Sequence, residues 1–455
     1  MKGNGSVLFH SDNIAFSVSC QQFECNSVHF DPSQSECILE FRSQLKTSDV
    51  TCPYCGRKVY LQDHDSILLK DFPVFSGIRQ KIRVFLHRFQ CTGCGSVFTE
   101  DPGLLQHPET RITQRAAENI RQLLRYHIPI SSISEITGIR WNTIAKIHKE
   151  YMDRELSGRE EERKKKKYRP RHLAIDEFAV HKGHTYATCV MDLDEGDILW
   201  VGAGRSKSCF EKFFEEYDMS LLSEVTAIAM DMNASYHLLV EKYLPHVSIV
   251  YDRYHMQAQF GKDVLGSVRL EEAKAHQRKA NEYDILAREA KDKTVRMELK
   301  RKARKARHAY SVVKQSRWTV LTSGKKLCGS GREKLDRILS EHEKLAVCYA
   351  MKEEMCELFD LRDPALARQR WTDWFEGAKA SGIPQLVKFA ELKEKRIEGL
   401  ASHARYPIST GKLEGFNNKI KVAKRTGYGY RNDDYFFTLI RYLSIPVDPS
   451  FHTKR

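Results

Sequence analysis

The chain has 455 residues, 41% of them hydrophobic, which is enough for a packed core in about three domains and excludes general disorder. Its 74 Lys and Arg outnumber 60 Asp and Glu, and the resulting net charge of +14 favours polyanionic partners, whose counterions are released on binding. No uninterrupted apolar stretch is long enough for a membrane span and no signal-peptide core opens the chain, so the expectation is a reducing cytosol, with the 12 cysteines as metal ligands and buried thiols rather than disulfides.

Residues 1–48 are read as short strands in VLFH, FSVSC and SVHF, with Cys20, Cys25 and Cys37 as structural thiols. A sharper pattern follows. Cys52-Pro-Tyr-Cys55-Gly56 is answered by Cys91-Thr-Gly-Cys94-Gly95. Each knuckle presents two thiolates from one tight turn, and two knuckles complete a tetrahedral four-sulfur site for structural Zn²⁺. Strands are expected at Val59–Leu61, Ile67–Leu69 and Ile82–Phe89, as in a zinc ribbon. The alternative is a set of unrelated cysteines or a redox dithiol.

From Arg111 to Tyr151 the pattern is helical. Ile112, Ala116, Ile120, Leu123 and Leu124 share one face, and a turn at Gly138 separates two further helices. Ser134, Ile133, Ile139, Ile144 and Ile147 fit the packing of a helix-turn-helix, whose second helix would offer Arg140, Asn142, Thr143 and Lys146 to DNA. A plain three-helix bundle is the other reading. Asp153 to Arg171, ending in RKKKKYRPR, is expected to be a charged linker.

At His172 the pattern changes to α/β. HLAIDEFAV, HTYATCVMDL and DILWVGAGR read as three consecutive strands, followed by helix SCFEKFFEEY, strand VTAIAMD, helix ASYHLLVEKYL and strand VSIVYD. That order matches the RNase H-like fold, which sets the first and fourth strands side by side. Ser267 to Ser323 lacks Gly and Pro and is expected to form a helical hairpin with a basic face at Lys300–Arg307, within an all-helical insertion reaching about Leu400. In the last motif, Glu414, Asn418 and Lys421 recur at helical spacing, and YFFTLIRYL is a final core helix before a frayed tail beyond Pro446.

Three carboxylates stand out. Asp176 ends an apolar strand run, Asp231 ends another just before a helix, and Glu414 sits on the late helix. Oxygen ligands of this kind suit two Mg²⁺ ions (or Mn²⁺) acting on phosphodiesters. Strand alternation sends Asp176 and Glu177 to opposite faces, and Asp176 is the choice for the site. Asp192, Asp194 and Asp197, around a turn, are expected to be surface charges.

The CPYCG and CTGCG knuckles, HLAIDEFA, AMDMNASY, DRYHMQAQF and LEGFNNKIK together resemble the bacterial insertion-sequence DDE transposases of the ISL-three family, from Cys52 to Leu443. The resemblance implies a metal triad of Asp176, Asp231 and Glu414, with Asn418 and Lys421 contacting DNA beside it. It also implies a D-x-x-H element, Asp252 to His255, near the site; a capping Asp and a packed His are the alternative there. The implied layout has a fold class of α/β type: N-terminal segment and ribbon 1–108, helix-turn-helix 109–155, linker 156–170, RNase H-like core 171–266 and 401–455, and helical insertion 267–400. The implied activity is cleavage at terminal inverted repeats and strand transfer into target DNA by a homo-oligomer, expected to be a dimer, in the bacterial cytoplasm at the nucleoid. A DNA-binding regulator descended from a transposase and an RNase H-like nuclease are the competing readings.

Overall fold

The computed structural model describes residues 23–73, 77–107, 110–181, 185–427 and 429–445. The strands expected in VLFH and FSVSC, Cys20, and the tail beyond Pro446 lie outside the described residues. The chain divides into two compact units, Met1–Glu162 with Lys419–Tyr442, and Arg163–Asn418 with Leu443–Arg455. Among the described residues no helix is long and apolar enough to cross a membrane.

The first unit is built on a sheet of β1 (Phe23–Asp31), β2 (Glu36–Ser43), β3 (Val59–Asp71), β4 (Arg79–Cys91), β5 (Val97–Thr99), β6 (Leu105–His107) and β7 (Thr110–Thr113). Its order is β1-β2-β4-β3-β7-β6, with β5 on β4, and β2 runs parallel to β4. The three short strands expected between the cysteine pairs are two long ones. β3 and β4 are 13 residues each and pair antiparallel from Val59–Cys91 to Asp71–Gln80. Alternation explains their stability: Ile82, Val84 and Leu86 of β4 join Leu39, Phe41 and Leu69 in one buried cluster.

Helices α1 (Gln114–Arg125), α2 (Ile130–Thr137) and α3 (Trp141–Lys165) follow. The Thr113 hydroxyl caps α1 by accepting from the Ala116 amide. Gly138 closes α2 in the left-handed conformation, φ 66°, which glycine adopts without a Cβ penalty. The Ser134 hydroxyl donates to the Ile139 carbonyl across that turn (2.7 Å). Ala116, Ile120, Leu124, Ile133, Ile139, Ile144 and Ile147 form the common core. Buried Asp71, at the far end of β3, accepts from Gln80, Thr113 and Arg115, so the sheet and the start of α1 share one charged anchor. The stretch expected to be a linker is helical as far as Lys165, because Glu, Lys and Arg are good helix formers and nothing breaks the run before Tyr168.

The second unit holds β8 (His172–His181), β9 (Thr185–Asp192), β10 (Ile198–Ala203), β11 (Ala227–Met230) and β12 (Ser248–Tyr251), in the order β10-β9-β8-β11-β12. The first three form an antiparallel meander; β11 is parallel to both β8 and β12. All four residues of β11 are buried, as expected for a parallel strand covered on both faces. Connections are α4 (Lys207–Glu216) and α5 (Ala234–Tyr243), then α6 (Arg253–Phe260). The side-by-side placement of the first and fourth strands is as the sequence predicts.

From Arg253 to Thr426 the described chain is helical with connecting turns. α7 (Ser267–Glu289) and α8 (Lys293–Gln315) form a hairpin. Ala273, Ala280 and Ala287 recur at seven-residue spacing and pack with Ala303, Ala306 and Val313, so small side chains line the seam. α9 (Arg317–Leu321), α10 (Gly329–Glu341), α11 (Glu343–Leu358), α12 (Pro364–Ala380), α13 (Pro384–Glu394) and α14 (Ile397–Arg405) complete the array. Its core is continuous with that of the sheet: Phe260 lies against Trp374 and Phe389 at ring distances of 6.1 and 5.1 Å. α15 (Gly411–Thr426) and α16 (Asp433–Ser444) end the described chain.

One group of charges departs from expectation. Asp192 and Asp197 are buried, not surface charges. Arg163 pairs with Asp192, with Glu195 (3.3 Å) and with Asp197 (3.7 Å), and the Tyr168 hydroxyl donates to Asp192 (3.0 Å). A buried carboxylate next to a turn resembles a surface one in sequence; its distant cationic partner is what permits burial.

Candidate active site

In the first unit the four predicted cysteines converge. Cys52 and Cys55 precede β3, Cys91 ends β4 and Cys94 precedes β5. Gly56 and Gly95 turn back at φ 70° and 73°, and their amides donate to the Cys52 and Cys91 carbonyls. The sulfurs lie at 3.7 Å (Cys52–Cys94), 3.4 Å (Cys55–Cys91) and 3.6 Å (Cys55–Cys94). A tetrahedral zinc with sulfurs at about 2.3 Å has edges of roughly 3.8 Å, so the cluster fits that ion closely. Its electrostatics also call for a cation. The Ser96 hydroxyl and amide bring the Cys94 thiol down to about 6. Cys55, although the Arg57 amide favours its thiolate, is pushed up to about 11 by hydrogen bonds to its neighbouring sulfurs. Four thiolates cannot crowd together without a positive charge between them.

The proposed DNA-facing residues of the helical trio lie around the start of α3. Arg140, Asn142 and Lys146 are exposed and Thr143 is half-buried, while Ile144 and Ile147 point into the core.

In the second unit, strand register brings two of the three carboxylates together. Ala227 pairs with His172, Ile228 with Leu173 and Ala229 with Ala174, so two residues further along lie Asp231 and Asp176. Burial holds the Asp176 carboxyl above the usual carboxylate range; the Glu177 amide, His255 and Asn417 favour its ionised form, and Asp231 opposes it. Asp231 acts likewise on Glu177, which burial also raises and which the Tyr236 hydroxyl and Arg205 stabilise as an anion. Asp176 bonds Asn417 and Glu177 bonds Tyr236, so alternation does send the two neighbours to different partners. Asp231 is half-buried, and one of its oxygens accepts from the Asn233 amide (2.9 Å), shaping the turn into α5.

Glu414 is exposed in the first turn of α15. The start of its helix is anchored by Asp252. Asp252, 4% exposed and directly after β12, accepts from the Thr410 amide (3.0 Å) and hydroxyl (2.8 Å), while its other oxygen caps α6 at the His255 amide (3.1 Å). Thus Asp252 is a cap, as one reading of the D-x-x-H element had it, and a tether for the glutamate helix as well. His255 is exposed rather than packed, and its charge reaches Asp176. Among the described residues the cysteines form the group of three or more potential ligands whose donor atoms all lie within 4.8 Å of one another. Asp176, Asp231 and Glu414 do not form such a group.

Asn418 and Lys421 are exposed on α15. Sequence reasoning missed their neighbour. Asn417 is 7% exposed and its amide nitrogen donates to Asp176 (2.8 Å). The signal was present: Asn417 falls on the stripe of Leu413 and Ile420, where an apolar side chain would be expected.

Comparison with known proteins gives the family. A family model described as a transposase, of the ISL-three DDE group, matches residues 173–440. The transposase for insertion sequence element IS1001 of Bordetella parapertussis is 32% identical over 396 residues, covering 86% of this chain and 87% of that protein. The transposase for insertion sequence element IS1557 of Mycobacterium tuberculosis is 24% identical over 272 residues, 59% of each chain. With more than half of its length matched by the model and a relative aligned over most of both chains, this protein belongs to the ISL-three family of insertion-sequence transposases.

Proposed function

We propose that the chain binds the terminal inverted repeats of an insertion sequence, cuts DNA there and joins the freed 3′-hydroxyl to target DNA, with Asp176, Asp231 and Glu414 as the carboxylate centre. The observation that carries the reading is the register that sets Asp176, midway along β8, level with Asp231, directly after the neighbouring parallel strand β11, with the helix of Glu414 bonded to Asp176 through Asn417. Two hard anionic oxygens crowded at partial burial, beside a third carboxylate, match the donor chemistry of Mg²⁺ or Mn²⁺. Such ions supply activation of the attacking oxygen and neutralisation of the leaving one.

The protein's own residues do the rest. Asp176 and Asp231 hold hard ligands on a rigid sheet, and Asp252 fixes the start of α15 so that Glu414 stays at the same end. In-line displacement by water and then by a 3′-hydroxyl requires no covalent protein–DNA intermediate and no nucleotide cofactor. On this reading 171–266 and 401–455 form an RNase H-like core, and 267–400 an all-helical insertion within it. The N-terminal part, 1–108, carries a four-cysteine zinc ribbon, and 109–155 a helix-turn-helix that reads DNA through Arg140, Asn142, Thr143 and Lys146. Residues 156–170 connect it to the core, and Asn418 and Lys421 contact DNA near the centre. Two copies act together, since two element ends are processed.

Labelled element ends with Mg²⁺ test both halves of the reading. Asp231→Ala is expected to lose at least about 100-fold in cleavage rate, about 2.7 kcal/mol of transition-state stabilisation, with end binding retained. Arg140→Ala with Lys146→Ala is expected to weaken end binding. Cleavage by Asp231→Ala at the wild-type rate would reject the triad, and unchanged affinity in the double variant would reject the DNA-reading helix.

A further inference from the structure

We infer that Asn417 is a positioning residue of the carboxylate centre, which sets both the orientation of Asp176 and the distance of Glu414 from it. The inference deepens the proposed function and rests on that reading of the three carboxylates.

Both oxygens of Asp176 are held. One accepts from the Glu177 amide (2.8 Å) and the other from the Asn417 amide nitrogen (2.8 Å). Each oxygen keeps a lone pair, so the carboxylate is locked in rotation without being used up. The first bond is local to β8. The second crosses 241 residues of sequence to α15, where Asn417 stands three residues after Glu414 on the same side of the helix. Together with the Asp252–Thr410 tether, it pins the first two turns of α15 at two points.

Asn417 is an unusual choice for its place. It lies between Leu413 and Ile420, which are fully buried, and is 7% exposed itself. Among the described residues its carbonyl oxygen is buried with no hydrogen-bond partner in the protein. A buried unsatisfied acceptor costs about 1–3 kcal/mol, so packing alone would favour leucine here. An amide that donates to Asp176 while presenting a free acceptor at the same spot suits a centre whose ligands carry hydrogen-bond donors, such as metal-bound water. Outer-shell partners of this kind orient the ligand, and their loss typically costs metal affinity about 10–100-fold.

The test is Mn²⁺ binding to the full-length protein without DNA, read by electron paramagnetic resonance, for wild type, Asn417→Ala and Asn417→Leu. Leucine keeps the branched shape and fills the buried position, so it guards against a folding defect. Both variants are expected to bind Mn²⁺ at least about tenfold more weakly while their thermal melts remain cooperative. DNA cleavage by them is expected to recover substantially at saturating Mn²⁺, a rescue that a general packing defect would not give. Mn²⁺ affinity within twofold of wild type in a folded Asn417→Leu protein would overturn the inference. Asp176→Ala separates the levels: if it too leaves Mn²⁺ binding unchanged, the carboxylate reading itself fails, whereas loss in Asp176→Ala alone removes just the part assigned to Asn417.

Discussion

The Asp176 carboxyl, midway along β8, is placed against its own electrostatics. Burial and the proximity of Asp231 favour the protonated form of Asp176 in the folded state. A carboxyl raised on folding holds its proton more tightly folded than unfolded, so it lowers stability as pH rises through its folded value. Removing the charge should therefore stabilise the apoprotein. With divalent ions chelated, Asp176→Asn is expected to melt at a higher temperature than wild type at pH 7. The difference should shrink as the pH falls through the folded-state value of the wild-type carboxyl, which burial holds above the usual carboxylate range. A lower melting temperature at pH 7, or a gap that widens in acid, would show that Asp176 is not under this strain. The aspartates were legible because each closes an apolar run, Asp176 midway along β8 and Asp231 directly after β11. Asn417 was not, because its sequence neighbours Asn418 and Lys421 share the spacing from Glu414 and the burial that distinguishes it is a tertiary property. Asp192 and Asp197 were misread for a related reason, since Arg163, which permits their burial, lies about thirty positions away on a stretch that looks like an exposed basic run.

Elements were easier to read than residues where local and tertiary demands agree. The order β8 to β12 with its helices follows directly from apolar runs broken by turns, and the helical hairpin of α7 and α8 follows from a stretch without Gly or Pro. Where they diverge, the reading fell short. The pairing of β1 and β2 alongside β4 is a long-range choice that strand propensity does not encode, and the charged end of α3 looks solvated whether or not it is helical. The cysteine knuckles are the opposite case, legible to the atom, because metal coordination leaves few spacings open. The purified protein is expected to hold one zinc per chain. Cys94→Ala is expected to lose the zinc and to expose β3–β5 to proteolysis, since ligand binding is folding free energy for a site of this kind. A metal assay that finds no zinc in wild type would remove the ribbon.

At the scale of the whole molecule, the +14 charge and the family membership point to DNA, and the chemistry proposed above lies in the second unit. The basic stretches on α8 and α15 are consistent with a long polyanion, but they do not separate binding from catalysis. The proposed carboxylate centre would, because a regulator has no need for Asp176, Asp231 and a glutamate helix held by both Asp252 and Asn417. The most direct measurement uses labelled DNA from the ends flanking this protein's own gene, mixed with a target plasmid and Mg²⁺, comparing wild type with Glu414→Gln. Joined end–plasmid products from wild type and none from Glu414→Gln, with equal end binding by both, is the predicted result. End binding without cutting or joining by wild type, in Mg²⁺ and in Mn²⁺ alike, would contradict it.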